Sequence, residues 1–115
     1  MKPIEFVTFL FETKTQIHHL HHITNSYAEH KALGKFYENW DELADTFIET
    51  YQGKYGNIVG SGLIKFDNEN AVSVINNAKK ILDKAPILEG DKDLQNIVAD
   101  LLQLCNHTLY LLTLK

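Results

Sequence analysis

Residues 18–49 read HHLHHITNSYAEHKALGKFYENWDELADTFIE. The fold turns on this stretch because it holds a helix end, a break and a helix start in succession. Thr24-Asn25-Ser26 interrupts the apolar pattern, and Ser26 followed three residues later by Glu29 is a capping box, the mark of a helix N-terminus. Beyond it, Ala32, Leu33, Phe36, Tyr37, Trp40, Leu43, Ala44, Phe47 and Ile48 recur at spacings of three and four, which makes one apolar helix face. This second helix is expected to run to about Tyr51, with Gly53 as its C-cap. Gly34 in its middle costs about 1 kcal/mol against alanine, and a close helix crossing would be a reason to keep it.

Upstream, residues 3–24 read as the first helix, with Pro3 suited to the first turn. Its apolar residues, from Ile4 and Phe6 to Leu20 and Ile23, exceed one narrow stripe, so contact on more than one side is expected. Downstream, GKYGNIVGSGLIKF (53–66) holds four of the six glycines and reads as a loop with a short turn or strand. Asp67 is the expected cap of a third helix through about Lys84, which Pro86 and Gly90 terminate. Asp91 is the expected cap of a fourth helix to the C-terminus, with Leu94, Ile97, Val98, Leu101, Leu102, Cys105, Leu109 and Leu112 on one face. Four helices with short connections imply an all-α, antiparallel four-helix bundle occupying residues 1–115 as a single domain.

Composition narrows the function classes. At 115 residues, the chain can bury one core. No apolar run approaches the roughly 20 residues of a membrane span, so no membrane partner is expected. Glu5 and Glu12 interrupt the apolar start and no small-residue cleavage site follows, which argues against a signal peptide. The single cysteine, Cys105, rules out an internal disulfide and a cysteine-rich metal site, and a reducing cytoplasm is the expected setting. Net charge is −4, and all 11 basic residues are lysine. Arginine, the preferred bidentate reader of phosphate and guanine, is absent, and the lysines are scattered, so DNA is disfavoured as a partner.

The same stretch carries the densest chemistry. It contains five of the six histidines, the only tryptophan, and Asp45 and Glu49 on one helix face. Histidine with aspartate and glutamate is a nitrogen and oxygen donor set suited to iron, zinc or manganese. His30 and Asp45 are on one helix, about 22 Å apart at 1.5 Å per residue. Folding the first helix back at Asn25 places His22 beside His30 and His18 near Leu33. One chain therefore cannot bring the histidines and Asp45/Glu49 to one metal, whereas two chains packed antiparallel would make two equivalent sites. The expected metal ligands are His18, His22, His30, Asp45 and Glu49, with His21 or His22 an alternative to His18 if the connection is short.

The order His18, His30, Asp45, Glu49, with Asp45-Thr46 and Glu49 forming Asp-Thr-x-x-Glu, resembles the Dps family, ferritin-like proteins that protect DNA in starved bacteria. The last helix, ADLLQLCNHTLYLL, is similar to that family's closing helix. The resemblance implies a ferritin-like fold, a homodimer or higher oligomer, and an intersubunit ferroxidase site with histidines from one chain and carboxylates from its neighbour. The tryptophan that follows the family's first histidine is His19 here, and the family's lysine-rich tail is missing, so DNA condensation is not carried over. SYAEHKALGKFYE together with YQGKYG also resembles a family of small helical proteins of tailed phages, which would put the chain in the host cytoplasm.

A second ligand reading rests on YQGKYG (51–56). Glycines expose backbone N–H groups, Lys54 supplies positive charge, and Tyr51 and Tyr55 offer faces for a base. With Gln52 and Lys31, these residues would hold a small phosphorylated ligand between subunits, as in a non-enzymatic phage protein that sequesters a nucleotide signal of host defence. GxxxxGK[ST] is absent, so the segment is not a P-loop. No serine or cysteine nucleophile has a convincing partner.

Overall fold

The computed structural model describes residues 1–114, which form α1 (Pro3–Ile23), α2 (Tyr27–Tyr55), α3 (Ala71–Leu82) and α4 (Lys92–Leu111). Pro3 lies in the first turn of α1, and the Glu5 carboxylate accepts the Lys2 backbone N–H at 2.9 Å. Ser26 Oγ accepts the Glu29 N–H at 3.2 Å and starts α2 where the sequence places it.

Two boundaries and one cap differ from expectation. α2 continues through Gly53 to Tyr55 and ends at Gly56, whose φ of 90° suits glycine. Tertiary bonds from Lys54 and Tyr55 to Asp91 hold this extra turn against the cost of a helical glycine. α3 starts at Ala71 rather than after Asp67, because Asn70 Oδ1 caps the Ser73 N–H at 3.2 Å while Asp67 is bound to α1. Asp91 precedes α4 without a side-chain cap bond, since its carboxylate faces α2 instead.

α1 packs on α2 and α3, and α4 packs on α2 and α3, leaving α1/α4 and α2/α3 as diagonals. The connection between α2 and α3 is not short. Residues 56–70 run extended along the outside of α1, passing Ile4 at Gly60, Thr8 at Gly62, Glu12 at Lys65, Gln16 at Asp67 and His19 at Asn68. The spacings match: Ile4 to His19 spans about 22 Å of helix, and Gly60 to Asn68 spans about 26 Å of extended chain. α3 therefore begins at the histidine end, and α2 and α3 run parallel, joined by a crossover as long as the bundle.

The crossover gives α1 a second contacted side. One side enters the core through Phe6, Phe9, Leu10, Ile17 and Leu20, and the opposite side receives the crossover. Buried Gln16 donates to the Asp67 carbonyl at 2.6 Å and accepts its N–H at 3.0 Å, so an internal amide substitutes for a strand partner. Trp40, fully buried, donates Nε1–H to the Leu10 carbonyl at 2.9 Å. Phe6 meets Phe47 at 4.9 Å, which fixes the register of the α1–α2 hairpin. Among the described residues no helix is long and apolar enough to cross a membrane.

Candidate functional site

At the closed end of the α1–α2 hairpin, His21 Nδ1 lies 2.6 Å from the His30 carbonyl, and His30 Nδ1 lies 2.8 Å from the His21 carbonyl. A carbonyl only accepts, so each Nδ1 carries a proton and donates, and Nε2 is the ring nitrogen left free of this pairing. The rings stack at 3.8 Å and 17°. The His21 carbonyl is among the last four of α1, which lack an intrahelical donor, so His30 also caps the helix.

Gly34 owes its place to this pair. A Cβ there would come within 2.9 Å of His21 Cε1. The mid-helix glycine accommodates an imidazole rather than a neighbouring helix backbone. His21, and not His22, meets His30: the last turn of α1 carries His21 half-buried toward α2 and leaves His22 exposed.

The remaining rings extend the stack. His18 lies on Tyr37, one helical turn beyond Leu33, at 4.0 Å and 17°, and reaches His22 at 4.8 Å. Burial first, then the neighbouring His22, His21 and Lys14, holds His18 below the ordinary imidazole pKa, which favours its neutral, lone-pair form. His19 points the other way: its Nε2 is 2.6 Å from Asn68 Oδ1 and its ring is 4.2 Å from Phe66, so it secures the end of the crossover.

Asp45 and Glu49 are exposed on α2, toward the end where Phe47 meets Phe6. Neither forms a salt bridge among the described residues. Among the described residues no three His, Cys, Asp or Glu side chains converge as a metal site. The donor set of a single chain thus does not fit a metal ion.

The residues of the second ligand reading are separated by the length of α2. Lys31 is at the histidine end, its Nζ 5.8 Å from the Tyr27 ring centroid. Lys54 bonds Asp91 Oδ1 at 2.7 Å and Asp93 Oδ1 at 2.9 Å, and Tyr55 donates to Asp91 Oδ1 at 2.6 Å. These bonds raise the Lys54 pKa, and the Lys54 and Tyr55 bonds with the Leu88 N–H lower Asp91 to about 2. The charge of Lys54 is matched inside the chain, where it ties the start of α4 to the end of α2. Gln52 Oε1 accepts the Ile58 N–H at 3.0 Å and opens the crossover, and Tyr51 packs between Phe47 and Tyr55.

A groove of about 560 Å³ lies beside the histidine pair, between α2 and the end of α4. Lys31, Lys35 and Glu38 flank it, and Leu111 and Leu114 form its apolar wall. Sequence reasoning omitted Leu111, Leu114 and Tyr37 from the site. Their apolar spacing is that of any core position, and only tertiary packing brings them to the histidines.

The match to known proteins covers the site but only the end of α1. The model of a family of unknown function (DUF5856) matches residues 21–112. The chain belongs to this family. In this DUF5856 chain the matched range includes His21, His22, His30, Asp45, Glu49 and Tyr51–Tyr55, while His18 and His19 precede it. No curated protein and no solved structure matches the chain.

Proposed function

We propose that this DUF5856 chain is an oligomeric bundle protein that binds a divalent metal ion, iron being the best match to its donors, between copies. Histidines of one chain, His30 with His18 and His22, provide nitrogen ligands, and Asp45 and Glu49 of a second copy provide oxygen ligands. The observation that carries this reading is the anchoring of His21 and His30. Metal-binding histidines donate their other ring N–H to a carbonyl or carboxylate, which orients the ring and directs the remaining lone pair outward. His21 thereby joins the candidate ligands. Asp45 and Glu49, four residues apart on one face of α2, are exposed and so open to a second copy. A single long crossover is also the connectivity of ferritin-like bundles, which supports the ferritin-like, Dps-like comparison.

Anaerobic Fe(II) titration followed by metal analysis of the desalted protein tests the reading. Two equivalent sites per dimer predict about one ion per chain. His30→Ala and Asp45→Ala each remove binding, and Asp45, being exposed, can be replaced without disturbing the core. Less than about a tenth of an equivalent bound, an order below full occupancy, by wild-type protein with intact helical circular dichroism refutes it.

One observation favours a second reading, capture of a nucleotide-like signal by a phage-encoded protein. The groove beside His21 and His30 has Lys31 and Lys35 at its rim and a volume typical of small-molecule sites. In this reading Lys31→Ala with Lys35→Ala abolishes nucleotide binding in calorimetry while Lys54→Ala leaves it unchanged.

A further inference from the structure

The groove between α2 and the end of α4 has two unlike linings. The first is apolar. Ala28 and Ala32, small residues on α2, give it depth, and Leu111 and Leu114 wall it on the side of α4. Leu114 keeps 49% of its surface exposed there. Among the described residues no Phe, Tyr or Trp lines the groove. Its only rings are His21 and His30, which already stack on each other at 3.8 Å. Such walls suit a flexible alkyl chain better than a flat base.

The second lining is cationic. Lys31 and Lys35 are four residues apart, on the face of α2 that carries Ala28 and Ala32. Both are exposed, and neither has a carboxylate partner among the described residues, whose ion pairs use Lys14, Lys54 and Lys65. The chain as a whole carries a net charge of −4, so attraction for an anion at this place is local to the lysine pair. Glu38, the next lining residue along α2, bounds the positive region with a negative charge. An anionic head is therefore complementary to the groove between Lys31 and Lys35 and nowhere farther along it. From Ala28 to Glu38 the groove follows α2 for about 15 Å.

We infer that this groove binds one molecule of a free anionic amphiphile, a medium-chain carboxylate, with its tail along Leu111 and Leu114 and its head at Lys31 and Lys35. The volume of about 560 Å³ is that of a small-molecule site. A concave site takes a single molecule, whereas a lipid surface needs a flat or convex face. The inference does not rest on metal binding, because Asp45 and Glu49 lie toward the opposite end of α2. It competes with nucleotide capture for the same groove, and the two are separable by experiment.

Calorimetry with decanoate tests it. One molecule binds per chain, and octanoate, shorter by two methylenes, binds about 15-fold more weakly, since each buried methylene is worth about fourfold. The variant K31E/K35E weakens decanoate binding by about tenfold or more, as like charges then meet at the head. K79E/K80E makes the same change in net charge at an adjacent pair on α3 and leaves binding unchanged. Ala28→Trp, at an exposed position, fills the groove and removes binding with unchanged helical circular dichroism. Absence of saturable decanoate binding, equal affinity for decanoate and octanoate, or equal losses in the two lysine double variants overturns the inference. So does displacement of decanoate by AMP at equal concentration, which assigns the groove to nucleotides, or co-sedimentation with phosphatidylglycerol vesicles by protein that binds no decanoate, which assigns it to a membrane surface.

Discussion

Replacing Gly34 by alanine tests the histidine clasp, because two effects of opposite sign meet at one atom. Alanine in mid-helix gains about 1 kcal/mol of helix propensity over glycine. The added Cβ falls 2.9 Å from His21 Cε1 and 3.1 Å from Nδ1, closer than the ring tolerates in place. The ring is held by its bond to the His30 carbonyl and by the stack on His30, so it moves only by giving these up. The hydrogen bond is worth about 1 kcal/mol and the stack about 1 kcal/mol. Subtracting the propensity gain leaves Gly34→Ala about 1 kcal/mol less stable than wild type, a melting shift of about −4 °C. In a His21→Ala background the obstacle is gone, and the same substitution stabilises by about 1 kcal/mol. The coupling of the two sites is then about 2 kcal/mol, large for a double-mutant cycle. Urea unfolding read by Trp40 fluorescence, at one fixed protein concentration, measures all four corners. Stabilisation by Gly34→Ala of equal size in both backgrounds would falsify the clasp.

Two further predictions follow from the ends of α2 and the core of α4. Asp91 has a folded pKa of about 2, below the ordinary 3.8, so its contribution is fully present above about 4 and is lost as pH falls through about 2. Thermal melts across that window are expected to fall less steeply for Asp91→Asn than for wild type; equal slopes would show that the Lys54–Asp91–Tyr55 contacts carry no stability. Cys105, buried and pushed up to about 12, is a protonated thiol at neutral pH, so iodoacetamide at pH 8 should modify it only in denaturant, and rapid native labelling would contradict its packing.

The α1–α2 hairpin was readable at once. Ser26 and Glu29 mark the second helix start, and the apolar period from Ala32 to Ile48 matches the face that buries Phe36, Trp40 and Phe47. The separation of histidines from Asp45 and Glu49 was equally legible, because helix rise is constant and both lie on one helix. Misreadings occurred where side chains had more than one use. Asp67 and Asp91 look like caps locally, but their carboxylates bond Gln16 and Lys54, distant in sequence, instead of a helix N-terminus. Gly53 looks like a stop, but Lys54 and Tyr55 carry the helix past it.

Local order along the chain therefore determined four helices, their approximate ends and the distance of the histidines from Asp45 and Glu49, since these depend on backbone geometry and residue spacing. Tertiary structure decided the rest. It selected His21 over His22 for the contact with His30, as a rotation of about 100° per residue around α1 decides which ring faces α2. It also turned the loop 56–70 into a crossover along α1, since the glycines that make the segment look like a turn are the residues that let it pack flat against Ile4 and Thr8.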